Sequence, residues 1–185
     1  MLVRTVLSKY EAVLPVHWRF SVDAYGRPSV VGAGGWLNFN LANTHGLVVC
    51  AVAREIDVGV DVENIERPAP MEVADRFFAR QEIEALRALP ESKRPARFFD
   101  YWTLKESYVK ARGKGLALPL DGFAFSLEEG RPPRITIDAA LRDESSWEFV
   151  QLRPTGTHLV SLCARRGDGQ RAVIVVRWER LLAAQ

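Results

Sequence analysis

The sequence predicts an α+β chain, with strands and helices segregated rather than alternating, built as two lobes that meet just before Gly59. Three observations carry this reading. Strand-like segments cluster ahead of Gly59, helical periodicities occupy Val73 to Gly113, and short β-rich segments fill the chain from Gly122 onward. With 185 residues and 48% hydrophobic content, the chain can bury a core as one domain or as two small lobes sharing an interface. The division expected is 1–56 for an N-terminal lobe and 57–185 for a C-terminal lobe.

In chain order, Leu2 to Tyr10 reads as helix and Trp18 to Val22 as strand, and the Gly and Pro of Tyr25-Gly26-Arg27-Pro28 make a turn. Asn38 to Asn43 and Gly46 to Arg54 read as strands around a polar bend at Asn43-Thr44-His45. The stretch Gly59-Val60-Asp61-Val62-Glu63 alternates and reads as the next strand. After the break at Pro68-Ala69-Pro70, Val73 to Leu89 keeps helical periodicity, with an interruption near Ala79-Arg80. The Pro90 to Pro95 segment leads into a long helix whose apolar positions are Phe98, Tyr101, Trp102, Leu104, Tyr108 and Val109, and which Gly113 stops. Phe123–Leu127, Arg134–Ile137, Trp147–Leu152, Leu159–Ala164 and Val173–Trp178 are short strands of an antiparallel sheet with helices against it.

Composition narrows the function classes. Arg4, Lys9, Glu11 and Arg19 interrupt the N-terminal apolar residues, so neither a secretory signal nor a membrane span is read there, and the cytoplasm is the expected location. Cys50 and Cys163 have no second thiol at metal or redox spacing and read as small hydrophobes without a disulfide. A net charge of +2, with basic and acidic residues interleaved, suits an anionic small ligand or an acidic protein partner. No basic run with interleaved aromatics supports nucleic-acid binding.

Two stretches carry the chemistry. On a strand, Asp61 and Glu63 project from one face about 7 Å apart, while Val60 and Val62 point into packing. Two acids so placed can share a hard cation, although the solvated face of an edge strand is the commoner fate of alternating acids. On the long helix, Glu106 and Lys110 lie one turn apart on the flank that carries Phe99 and Thr103, a spacing that also suits a plain surface ion pair. Lys105 falls inside the apolar arc. It must either stretch its stem over the core or meet an anion.

Taken together, Gly59-Val60-Asp61-Val62-Glu63, Trp102-Thr103-Leu104-Lys105-Glu106-Ser107 with Lys110, and Gly113-Lys114-Gly115-Leu116 resemble the signature motifs of the 4′-phosphopantetheinyl transferases, the surfactin-synthetase-activating type above all. Leu2-Val3-Arg4, Tyr25-Gly26-Arg27-Pro28, Phe39-Asn40-Leu41, Arg76-Phe77-Phe78 and Leu118-Pro119-Leu120-Asp121 extend the resemblance to nearly the whole chain. It implies two similar lobes related by a pseudo-twofold axis, acting as a monomer with one cleft between them. It also implies transfer of the phosphopantetheine arm of coenzyme A to a serine of an apo acyl or peptidyl carrier protein, releasing adenosine 3′,5′-bisphosphate. Mg²⁺, with Mn²⁺ as an alternative, would be held by Asp61, Glu63 and Glu106. Glu106 would take the serine proton and Lys110 would grip the pyrophosphate. Arg27, Pro28, Asn40, Ala42, Asn43 and Lys105 complete the implied coenzyme A contacts, and the helix from Val73 with the loop before Phe98 would face the carrier.

The chain departs from the pattern in two places. Relatives carry Ser-His where this chain has Ala42-Asn43, and asparagine brings no positive charge to a phosphate; His45 lies two positions on. Relatives also have several dozen residues, some of them basic, ahead of the position of Leu2. A start codon placed too late is the favoured explanation, and a truncated form with weaker cofactor affinity is the other. The alternative function is accordingly a relative that binds carrier or coenzyme A without efficient catalysis.

Overall fold

The computed structural model describes residues 2–32, 34–142, 145–166 and 177. Helix α1 (Leu2–Leu7) ends short of the expected Tyr10. The Ser8 hydroxyl donates to the carbonyls of Arg4 and Val13 and accepts from Trp18 Nε1, which folds the chain back and seats Trp18 in a small core with Leu7, Leu37 and Phe39. Strands β1 (Arg19–Val22) and β2 (Pro28–Val31) pair antiparallel across the predicted turn. There, Asp23 Oδ1 accepts the Tyr25 and Arg27 amides and Gly26 takes a φ of 85°.

Strands β3 (Leu37–Thr44) and β4 (Leu47–Arg54) form a long antiparallel hairpin. Thr44 pairs with Leu47, so the loop is only His45-Gly46. The expected bend at Asn43 is therefore corrected, because Gly46 at φ 81° supplies the left-handed residue of a tight turn and leaves Asn43 in the strand.

Strand β5 (Val58–Asn64) joins β8 (Trp147–Leu152) and β9 (His158–Arg165) in an antiparallel sheet of order β5-β9-β8. Strands β6 (Phe123–Ser126) and β7 (Arg134–Ile137) make a separate hairpin. The strand expected over Val173–Trp178 lies, Arg177 apart, outside the described residues. Between β5 and β6 run α2 (Met71–Phe77), α3 (Arg80–Ala88) and α4 (Arg94–Arg112). The interruption expected near Ala79 is present: Phe78 and Ala79 are extended, and Glu82 Oε2 accepts the Ala79 amide to start α3. Gly113 ends α4 at φ 63°, its amide bonding the carbonyls of Val109 and Lys110.

The three-stranded sheet is covered on both faces. Val60, Val62 and Val160 pack with Ala42, Leu47, Val49 and Ala51 of the β3-β4 hairpin. The other face takes α4, and the two approach at backbone distance: a Cβ on Gly59 would lie 2.1 Å from the Ser107 carbonyl oxygen and 2.4 Å from the Ala111 nitrogen. Only glycine allows that contact. Phe98, Tyr108, Phe123, Phe125 and Phe149 fill the core between α4 and the strands beyond it. Among the described residues, no helix is long and apolar enough to cross a membrane.

Candidate active site

The alternation of β5 places Gly59, Asp61 and Glu63 on the face toward α4, while Val58, Val60 and Val62 are buried. Asp61 is 6% exposed, so this is no solvated edge. Lys110 Nζ donates to Asp61 Oδ1 at 2.6 Å, which joins the two motifs across the helix–sheet interface. Asp61 Oδ2 is buried and has no hydrogen-bond partner. Burial pushes the Asp61 carboxyl above the usual carboxylate range, and the Lys110 ammonium opposes that rise.

Glu63, beside it, is engaged at both oxygens. Trp102 Nε1 donates to Oε1 at 3.0 Å, and Arg67 reaches Oε2 at 3.0 Å while its guanidinium lies over the Phe99 ring. Glu106 makes no hydrogen bond or ion pair among the described residues. Its carboxyl is raised by burial first and then by the charge of Asp61, with Glu63 adding to the rise and Lys110 opposing it. The three expected metal ligands therefore feel one another's charge. Among the described residues, however, no three His, Cys, Asp or Glu side chains stand together as a ready cluster.

Lys105 is corrected. Implied as a coenzyme A contact, it is 0% exposed, with Nζ 2.7 Å from Glu82 Oε2 and 2.7 Å from the carbonyls of Leu120 and Phe123. Of the two fates open to a lysine in the apolar arc, it met the anion. Glu82 also accepts the Phe125 amide, so the pair ties α3, α4 and β6 into one buried node. The Ala42 side chain is 7% exposed and packs on β5 within the core. Asn40 Oδ1 accepts the Val60 amide and braces β3 against β5, whereas Asn43 is exposed. Arg27 donates to the Ala111 carbonyl at 3.2 Å and pairs with Asp57 at 3.3 Å, and with Pro28 it lines a cavity of about 210 Å³ shared with Asp23, Ser29, Asn38 and Phe39. His45 is exposed, and its carbonyl meets His158 Nε2 at 2.8 Å.

Trp102, Arg67 and Glu82 were not among the expected site residues. Arg67 stands four residues after Glu63 and Trp102 four before Glu106, spacings that could have pointed to them. Glu82 lies far from Lys105 in sequence, and only the folded chain joins them.

Comparison with known proteins gives the family and the fold. The family model of the 4′-phosphopantetheinyl transferase superfamily matches residues 57–163. The chain is 30% identical over 183 residues to the 4′-phosphopantetheinyl transferase Sfp of Bacillus subtilis, covering 98% of this chain and 79% of that protein. It is 34% identical over 157 residues to the 4′-phosphopantetheinyl transferase HetI of Nostoc sp., covering 83% of this chain and 63% of that one. Among solved structures, the holo-(acyl-carrier-protein) synthase of Bacillus anthracis in complex with CoA (3′,5′-ADP) is similar in fold. Its TM-score is 0.51 at 16% identity, covering 60% of this chain and 96% of that one. The holo-[acyl-carrier-protein] synthase of Thermotoga maritima gives a TM-score of 0.50 at 23% identity, over 61% and 65% of the two chains.

Proposed function

The chain belongs to the 4′-phosphopantetheinyl transferase superfamily, and from that premise we propose how its own residues divide the reaction. The activity is transfer of 4′-phosphopantetheine from coenzyme A to a serine of a carrier protein, as in the relatives that bear the transferase name. A bond forms between the serine oxygen and the phosphorus that carries the pantetheine arm. The bond from that phosphorus to adenosine 3′,5′-bisphosphate breaks, and the serine proton must go to a base.

The observation that carries the assignment is the Lys110–Asp61 contact between β5 and α4, with Glu106 one turn before Lys110 on the same helix and raised by the Asp61 charge. Asp61 Oδ2, buried without a partner, and the unpaired Glu106 carboxyl suit a hard divalent cation, for which Asp61, Glu63 and Glu106 are the proposed ligands. Bound there, Mg²⁺ or Mn²⁺ would supply charge neutralisation at the pyrophosphate. Glu106, raised by burial and by its acidic neighbours, is the proposed acceptor of the serine proton. Lys110 is the proposed pyrophosphate grip. Arg27 and Pro28, at the small cavity beside α4, are proposed to meet the nucleotide end of coenzyme A. The division of the chain at residue 57, where the family match begins, supports lobes of 1–56 and 57–185. A cytoplasmic monomer is the proposed setting.

The test is intact-mass analysis of an apo carrier protein after incubation with the chain, coenzyme A and Mg²⁺. A pantetheinyl adduct is expected, and Asp61→Ala and Glu106→Gln should each lower its rate at least about a hundredfold. No adduct from the wild type, with coenzyme A still bound, would favour the non-catalytic reading. Unaltered rates in both variants would refute the metal and base assignment.

A further inference from the structure

Behind Asp61 the structure holds a polar cluster that none of the steps above uses. The register Asp61↔Ser161 and Gln151↔Ser161 sets these three side chains in one row across the β5-β9-β8 sheet, on the face toward α4. Thr103 of α4 lies on that row. Ser161 Oγ donates to Thr103 Oγ1 at 2.7 Å, and Gln151 Nε2 donates to Ser161 Oγ at 3.1 Å and to the Asp100 carbonyl at 3.0 Å. Thr103 Oγ1 in turn donates to the Phe99 carbonyl at 2.8 Å. Thr103 and Ser161 are each 0% exposed.

Such a cluster is not what helix–sheet adhesion needs. Apolar packing is non-directional and would hold α4 on the sheet equally well, whereas buried hydroxyls cost free energy unless every bond is made. What directional bonds add is angular definition. Gly59 fixes how closely α4 approaches β5, and the rotation of the helix about its own axis is set by directional contacts such as Lys105 on Glu82, Trp102 on Glu63 and this cluster. Thr103 lies three residues before Glu106 and seven before Lys110, on the same flank of α4. A 20° rotation of a helix about 5 Å in radius moves side chains on its rim by about 2 Å, enough to open the 2.6 Å contact between Lys110 and Asp61.

We propose that Thr103, Ser161 and Gln151 are positioning residues that set the rotation of α4 on the sheet, so that Glu106 and Lys110 stand over Asp61. The inference rests on the transferase reading of the site. Trp102, next to Thr103, provides a reporter that requires neither metal nor turnover, because its indole N–H bonds Glu63 on β5.

The experiment compares Thr103→Val, which keeps the shape and loses the hydroxyl, with Thr103→Ser, which keeps the hydroxyl. Gln151→Leu is a second, independent cut of the network. Thr103→Val and Gln151→Leu are expected to lower kcat/KM for coenzyme A about ten- to a hundredfold, with KM for the carrier protein unchanged. They should also shift the Trp102 indole resonance, assigned with Trp102→Phe, in metal-free protein. Thr103→Ser should restore both. An effect on folding alone would lower the active fraction and leave KM for coenzyme A and the indole resonance of the folded molecules in place. An unmoved resonance overturns the proposal, as does a moved resonance with kcat/KM within twofold of wild type, or unfolding of both variants. Absence of an adduct with wild-type enzyme would instead sink the transferase reading, and the two failures are thereby told apart.

Discussion

Glu106 and Lys105 are sequence neighbours with opposite fates, and the difference comes from what each side chain meets. Burial and the Asp61 charge favour protonated Glu106 in the folded chain, so its folded value lies above its unfolded one. Ionised Glu106 therefore lowers stability at neutral pH, and that penalty is relieved as the pH falls through the folded value toward the unfolded one. Glu106→Gln should raise the Tm of the metal-free protein at pH 7, with a gain that shrinks on acidification. A gain that is constant with pH, or a loss at pH 7, would contradict the placement. Lys105 acts only through stability. Lys105→Met leaves Glu82 buried without its cation and should cost about 3–5 kcal/mol in chemical denaturation. If Lys105 instead held coenzyme A, the loss would appear in KM with stability unchanged.

Strand β5 and helix α4 show how local pattern and tertiary approach divide the information. The alternation of β5, the periodicity of α4, its stop at Gly113 and the break before α3 were legible because each depends on residues close in sequence. The tight turn at His45-Gly46 was displaced in the reading because a polar run hid the left-handed glycine. One residue of the site was misassigned for a different reason. Lys105 matched a motif, but its surroundings come from Glu82, which no local pattern brings beside it. Gly59 is the clearest tertiary constraint. A methyl group there has no room against the α4 backbone, so Gly59→Ala must lift the helix. The expected cost is about 1–3 kcal/mol in denaturant unfolding. The turnover of the fraction that remains folded should fall at least tenfold, since Glu106 and Lys110 ride on the displaced helix. Normal turnover in a destabilised Gly59→Ala protein would show that α4 reaches the site by another route.

With its elements assembled, the chain links its two proposed ligands through one side chain. Lys110 holds Asp61 at 2.6 Å, so a cation arriving alone at Asp61 would have to displace its ammonium. Coenzyme A arriving alone must draw Lys110 away from Asp61 and leave a buried carboxylate uncompensated. On the proposed assignment the two together would balance, with Lys110 turned to the pyrophosphate and Asp61 free to hold the cation. Arg27 extends the linkage to the β1-β2 hairpin, because it bonds the Ala111 carbonyl near the end of the same helix and pairs with Asp57. Binding of the two ligands should therefore be positively coupled, by about 1–3 kcal/mol, and the coupling must be reciprocal. In thermal unfolding across a matrix of Mg²⁺ and coenzyme A concentrations, the shift with both present should exceed the sum of the separate shifts by about 2–10 °C. Lys110→Ala should bind Mg²⁺ alone more tightly than wild type, having removed the competing ammonium, and should lose most of that excess. Additive shifts in the wild type, or an excess that survives Lys110→Ala, would place the coupling elsewhere than the Lys110–Asp61 contact.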